Sequence, residues 1–538
     1  MNWKTILRFK AIGVVLVLAI MMIPVGYVAA REMDCNFPVL PGLNGDIADV
    51  IKTDKGYVSG SKIDAISFPG PTTLQTELFG PPALPGMIGQ IGYVVRVFRG
   101  IPYAAPPVGN LRWKPPQPAT AWEGIRECTV FSPMAPQLYP SVALYGSIPE
   151  SGMSEDCLYL NVVTPAQTSF DGLPVMVWFH GGGITEGSSN PATTNSPPLP
   201  QQGVVLVTVQ HRIGPLGYMC HPALAAESGN LCGNYGQLDL IAALQWVQRN
   251  IAAFGGDPYN VTIFGQSGGG AKVNGLMASP LAKGLFQRAI SQAAGGASGT
   301  PLATAEQNGV ALAAYFGISD TGATGLADLR GIAWESIINA GDASPAPGGY
   351  VNDFTIDGYY LQDTVLNIFQ EGKQEDVPYL TGMAGEDITF IYQSTQTLVS
   401  TMKTGKSKVY VYLFDHVPTG WKTEGIFHAF HGLEVAYEFG FQPWVASFWG
   451  TLFFPFSSYC GISVPQNPGL DSKDTYVAEA MMAMWARFAA TGNPSVYSLV
   501  QWPAYNPVTD QYLFIDDPLQ VQSGFSKLVE PTLDHCGL

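Results

Sequence analysis

Basic charge is scarce in this chain. Lysine and arginine number 26 against 42 aspartates and glutamates, giving a formal net charge of −16 over 538 residues. A net acidic surface repels phosphate backbones and anionic membranes, which excludes nucleic-acid binding as a function class and leaves solubility as the meaning of the charge. Charge of either sign is sparse as well, at 13% against 46% hydrophobic residues. Such a composition is not that of a disordered chain, and it supplies enough apolar material for a sizeable core. Internal repeats are lacking. The seven cysteines never fall in a C-x-x-C or Cys/His spacing, so no zinc site is read. Histidines are also only seven, few enough to be sifted one by one.

What is present begins with an export signal. Lys4, Arg8 and Lys10 make a positive start, an apolar run follows from Ala11 to Met22 and on towards Ala30, and Val28-Ala29-Ala30 supplies the small residues of a cleavage site. A retained anchor is the competing reading, because residues 11–30 are nearly long enough to span a bilayer. Pro24, Gly26 and the small-residue site favour cleavage. Residues 1–30 are therefore expected to be removed, leaving an exported (periplasmic or secreted) protein with no stable membrane insertion. In an oxidising compartment the cysteines are expected to pair in part, with Cys220 and Cys232 as the favoured local disulfide and Cys460–Cys536 as a weaker guess.

A length prior of about 150 residues per domain would divide the chain into three or four. Large α/β enzymes, however, often keep one central sheet and grow by insertions, and residues 31–538 are read as one such domain. Residues 66–91, rich in proline and glycine, read as a surface insertion. Short apolar runs bounded by turn signals predict buried strands at Pro174–Phe179, Val204–Val209, Asn260–Phe264, Tyr379–Thr381 and Val409–Phe414. Helical patterns such as Gln237–Asn250 lie between them. Strands alternating with helices predict a mostly parallel sheet covered on both faces, with reactive groups at the carboxyl ends of its strands.

Three motifs stand at those ends. His180-Gly181-Gly182-Gly183 follows the first strand, Gln210-His211-Arg212 the second, and Gly265-Gln266-Ser267-Gly268-Gly269 the third. The last fits G-x-S-x-G, a sharp strand-to-helix turn that exposes a serine hydroxyl. At average composition a chance match in a chain of this length has odds of about one in five, so context must carry it. The predicted strand before Ser267 and a helix-compatible run at Gly270–Ser279 supply that context.

A serine nucleophile needs a base, a group to orient it and donors for the oxyanion. In this fold the order along the chain is serine, acid, histidine. His180, His211 and His221 precede Ser267 and drop out, leaving His416, His428, His431 and His535. Gly432 gives the backbone at His431 freedom to turn, a modest preference over His428.

Beyond these motifs, several long stretches together resemble the type-B carboxylesterase/lipase family, which includes the cholinesterases. They are VFRGIPYAAPPVGNLRWKPP (97–116), SEDCLYLNVVTP (154–165), PVMVWFHGGG (174–183), GNYGQLDLIAALQWVQRNIAAFGGDPYNVTIFGQSGG (233–269) and HGLEVAYEFG (431–440). The resemblance implies an α/β-hydrolase fold: a mostly parallel central sheet with helices on both faces and loop or cap insertions. It implies Ser267 as nucleophile, His431 as base, and the N–H groups of Gly182, Gly183 and Gly268 as the oxyanion hole. For the acid it implies Asp387 by register, with Glu386 beside it as the alternative. Neither metal nor organic cofactor is implied. The implied partner is a small-molecule ester, of short-to-medium acyl chain or bulky alcohol. Lipase, thioesterase, and carbamate or amide hydrolase are alternatives on the same triad. Non-catalytic adhesion relatives typically lose the nucleophile, and Ser267 is retained here.

The departures from the family pattern also carry expectations. Gln266 replaces a glutamate and so removes a negative charge near the imidazole. The stretch between Asp387 and Lys408 is short, which implies a reduced cap. No tryptophan stands ten residues before Cys157, which disfavours quaternary ammonium substrates. Ala135 occupies the usual place of the cysteine that pairs with Cys157, so that disulfide is either lost or made with Cys128 instead, a weaker guess than Cys220–Cys232. Arg212 and Asp239 match a buried structural ion pair.

Overall fold

A computed structural model describes residues 50–63, 94–138, 151–191, 194–294, 299–341, 350–423, 427–440 and 469–529. The expected signal segment, the insertion at 66–91, and Cys35, Cys460, His535 and Cys536 lie outside them.

Eleven strands form the main sheet: β1 (Ser61–Ile63), β2 (Val95–Pro102), β3 (Tyr159–Thr164), β4 (Leu173–Phe179), β5 (Val205–Val209), β6 (Gly256–Gln266), β7 (Arg288–Gln292), β8 (Tyr379–Ala384), β9 (Val409–Phe414), β10 (Gln511–Ile515) and β11 (Gln520–Ser523). Their spatial order is β11-β10-β9-β8-β7-β6-β4-β5-β3-β2-β1. From β5 through β4 to β10 every neighbouring pair is parallel. The pairs toward β1, and the last pair β10–β11, are antiparallel. The central strands read as unbroken apolar runs because both of their faces are covered. All five residues of β5, all six of β9 and the six residues Val261–Gln266 of β6 are buried.

Five helices matter for the site: α1 (Tyr235–Asn250), α2 (Gly268–Ala278), α3 (Thr389–Thr401), α4 (Glu434–Glu438) and α5 (Ser472–Thr491). Helix α5 begins with a capping box, in which the Asp471 and Asp474 carboxylates satisfy two backbone N–H groups that the first turn would leave unpaired. It presses Trp485 onto Tyr412 of β9, with ring centroids 5.6 Å apart. Trp502 closes the same cluster 6.1 Å from Trp485. Among the described residues no helix is long and apolar enough to cross a membrane.

Arg212 and Asp239 form a two-pronged buried ion pair, with Nη2 to Oδ1 at 2.6 Å and Nε to Oδ2 at 2.8 Å. The backbone N–H of Arg212 donates to the same carboxylate, and the guanidinium also reaches Lys114 O. Breaking a buried pair leaves one charge uncompensated. Asp239→Asn is therefore expected to cost about 3–5 kcal/mol of stability, measured by denaturant unfolding. A loss below about 1 kcal/mol would show the pair to be dispensable.

The Cys220–Cys232 disulfide is present. Cys128 and Cys157, by contrast, are both free and buried, which corrects the expectation that they pair. Burial pushes the Cys128 thiol up to about 11 and raises that of Cys157 well above its ordinary value, so each behaves as a small apolar core residue.

Candidate active site

Ser267 stands between β6 and α2 with φ 58° and ψ −126°, a left-handed conformation for a non-glycine residue. Holding such a residue there costs about 1–3 kcal/mol, so its surroundings must impose it. The Ser267 N–H donates to Gln292 O at 2.8 Å, and Ser267 O accepts from the Ala271 N–H at 3.0 Å. The flanking chain fits only because it lacks side chains. A Cβ at Gly265 would lie 2.6 Å from Phe179 O, and one at Gly268 would strike the backbone of Gly183.

That second collision brings the two motifs together. β4, which ends in Phe179, pairs directly with β6, so the His180–Gly183 loop leaves the sheet beside the serine elbow. Gly182 and Gly183 both have positive φ, 85° and 58°, and Gly182 O accepts from the N–H groups of Thr185 and Glu186 in a tight turn. Among the described residues the N–H groups of Gly182, Gly183 and Gly268 donate to no protein acceptor. Three unspent backbone donors thus belong to two segments whose backbones touch.

Asp387 follows β8 and His431 follows β9. His431 Nδ1 and Asp387 Oδ1 are 2.7 Å apart, and both side chains are buried. A carboxylate only accepts, so Nδ1 donates and Nε2 is left as an acceptor. The Asp387 carboxylate also accepts from the N–H groups of Ala384 at 3.0 Å and Ile388 at 2.9 Å, which fix its direction. Burial, the largest influence on His431, lowers its proton affinity. The charge and hydrogen bond of Asp387, followed by the charge of Glu434, outweigh burial and raise it above its ordinary value. The backbone of Glu386, the alternative acid, pairs with the segment that leads into His431: its N–H donates to Ala429 O at 2.8 Å and it bridges to Phe430.

The other two candidate histidines among the described residues have their own carboxylates. His428, 42% exposed in its side chain, meets Asp415 at 2.9 Å. His416 lies between Asp516 at 2.6 Å and Asp474 at 3.1 Å. Three histidines that follow β9 therefore each meet at least one aspartate. His431 is the one in contact with the elbow: Gln266, adjacent to Ser267, places Nε2 at 3.4 and 3.5 Å from its two ring nitrogens. Contacts so long and so evenly shared are not a directed hydrogen bond.

Sequence reasoning did not single out the two glutamates of α4. Glu434 and Glu438 are fully buried one helical turn apart. Burial, then the charge of Asp387, pushes Glu434 up to about 7, while the charge of His431 acts the other way. Burial raises Glu438 well above the carboxylate range, with the charge of Glu434 adding to it. A glutamate at 266 would have set a further carboxylate beside Glu434, and glutamine avoids that repulsion. The i, i+4 spacing was the available signal, but glutamates so spaced usually mark a solvated helix face. Among the described residues no group of three His, Cys, Asp or Glu could hold a metal ion.

A mostly parallel sheet with helices between its strands and a left-handed serine elbow at a central strand's carboxyl end define the α/β-hydrolase class. The model of the carboxylesterase family matches residues 83–396 and 385–528, and the chain belongs to that family. Fumonisin B1 esterase of Sphingopyxis macrogoltabida is 43% identical over 293 residues, about half of each chain (54% of this one, 52% of the relative). Para-nitrobenzyl esterase of Bacillus subtilis is 30% identical over 485 residues, covering 80% of this chain and 93% of the relative. A solved PNB esterase structure superposes with a TM-score of 0.70 at 26% identity, covering 88% of this chain and 96% of the other. The protein is a carboxylic ester hydrolase.

Proposed function

We propose that the protein cleaves small-molecule carboxylic esters by two-step acyl transfer on Ser267. His431 takes the hydroxyl proton on Nε2 as the serine attacks the ester carbonyl. Asp387 holds the imidazole in the tautomer that leaves Nε2 free and stabilises the imidazolium that forms. The N–H groups of Gly182, Gly183 and Gly268 receive the oxyanion. The alcohol departs with the proton from His431, and a water activated by the same imidazole releases the acid. The observation that carries this reading is the buried 2.7 Å His431–Asp387 bond beside a left-handed Ser267.

Esters of short-to-medium acyl chain or bulky alcohol are the proposed substrates. Two relatives named for fumonisin B1 and a para-nitrobenzyl group support the bulky-alcohol side of this reading. We also propose export of the mature chain, supported by the basic-then-apolar start of the sequence and by a disulfide suited to an oxidising compartment.

The test is labelling and pre-steady-state kinetics. A fluorophosphonate is expected to modify one serine, Ser267, and p-nitrophenyl acetate to give a stoichiometric burst of p-nitrophenol. Label on another residue would overturn the assignment. Across p-nitrophenyl esters from acetate to palmitate, kcat/KM is expected to peak at short or medium chains. A rise through palmitate with interfacial activation would make the enzyme a lipase instead.

A further inference from the structure

A lysine sits one turn into the helix that follows the nucleophile. Lys272 of α2 is completely buried, and among the described residues its ammonium pairs with no carboxylate. Burying a lone ammonium is expensive, and long cationic side chains are almost never fully buried unless paired. Here burial alone pushes it down to about 7. Among the described residues its Nζ makes one hydrogen bond, donating to the backbone carbonyl of His180 at 3.0 Å. That carbonyl belongs to the residue from which the Gly181–Gly183 turn departs.

We propose that Lys272 is a positioning residue for the oxyanion hole. The three candidate donors lie on two separate segments, Gly182 and Gly183 after β4 and Gly268 at the start of α2. Lys272 is five residues beyond Ser267 on that same helix, so its bond to His180 O ties one segment to the other in a fixed register. The far end of the loop has a clamp of its own, in which Gln137 accepts from Gly187 N–H and donates to Gly187 O, both at 2.9 Å. Between the two clamps Gly182 and Gly183 carry no side chain to fix them. The surroundings of the tie are otherwise unfavourable to a cation. The His180 and His211 rings stack there with centroids 4.5 Å apart, and both are held neutral by burial and then by Lys272. Such a cost is understandable if the bond serves geometry at the reacting centre. Ammonium and neutral amine both keep N–H groups, so the tie persists through a proton loss.

This inference rests on the oxyanion reading above, and the experiment separates the two. Lys272→Met, which keeps the length and removes the donors, is expected to lower kcat about 30- to 100-fold for a p-nitrophenyl ester, somewhat less than deleting an oxyanion donor outright. KM should stay within about twofold, because the ground-state ester needs no oxyanion contact. Affinity for an alkyl trifluoromethyl ketone, whose serine adduct carries an oxyanion, is expected to fall in proportion to kcat/KM. Lys272→Gln, which keeps a shorter donor, is expected to fall between wild type and methionine. If the methionine variant does not fold, the glutamine variant decides by the same readouts. A kcat within threefold of wild type, or a loss carried by KM with ketone affinity unchanged, overturns the proposal. Should the fluorophosphonate fail to label Ser267 in the wild-type protein, the catalytic reading fails first. If Ser267 is labelled but the Lys272 variants are kinetically silent, only this inference fails.

Discussion

Ser267→Ala is expected to reduce kcat for p-nitrophenyl acetate about 10⁶-fold, the scale on which removal of a triad nucleophile acts. The loss is this large because the residues work as a unit: without the hydroxyl, the His431–Asp387 pair has no proton to take. Backbone donors and binding remain, and they should leave a residual rate about 10³-fold above water. Alanine fits the same left-handed position no worse than serine, so the unfolding midpoint should be nearly unchanged. Steady-state hydrolysis read beside thermal unfolding checks both halves of this expectation. Undiminished turnover would remove Ser267 from the mechanism.

Asp387→Asn should have the second-largest effect, lowering kcat about 10⁴-fold while leaving the neighbouring backbone in place. The amide can present an N–H to Nδ1 and favour the wrong tautomer, and it no longer stabilises the imidazolium. Glu386→Gln should change kcat less than about threefold, since the carboxylate bonded to His431 is that of Asp387. If only the Glu386 variant lost activity, the two roles would be reversed. The pH profile gives an independent reading. In the proposed mechanism the working base is neutral His431, so kcat/KM is expected to be low in acid and to rise as the imidazole loses its proton. Asp387 and Glu434 together hold that proton loss above the ordinary histidine value against the opposing effect of burial. Removing the Asp387 charge leaves burial in place. The residual activity of the asparagine variant should therefore rise at lower pH than that of wild type.

Local patterns were legible where local forces set them. Val409–Phe414 reads as a buried strand because both faces are covered, and the strand has those bounds. The helix read at Gln237–Asn250 begins two residues earlier, at Tyr235. The elbow strand read as Asn260–Phe264 runs from Gly256 to Gln266, because pairing with β4 and β7 extends it past the apolar segment. Chain order reduced the histidines to a few, but it could not choose among three that each meet an aspartate. Their distinction lies in the contact of His431 with Gln266, 165 positions away. The Cys128–Cys157 expectation failed for a related reason, since two buried thiols look the same in sequence whether or not they face each other. Lys272 gave no pattern at all. A lysine among glycine and apolar residues reads as a helix surface until the carbonyl it reaches, in the loop after a strand and 92 positions earlier, is known.

The order β6-β7-β8-β9 works as a ruler. Adjacent strands are about 4.8 Å apart, so the strands bearing Ser267 and Asp387 are separated by about 10 Å across β7. An imidazole hung from the loop beyond β9 has a span of fixed width to bridge. The proposed proton path is thus gauged by the hydrogen-bond spacing of the sheet, the least adjustable dimension in the molecule. Loops and cap can be lengthened, trimmed or exchanged to admit a different ester without altering that gauge.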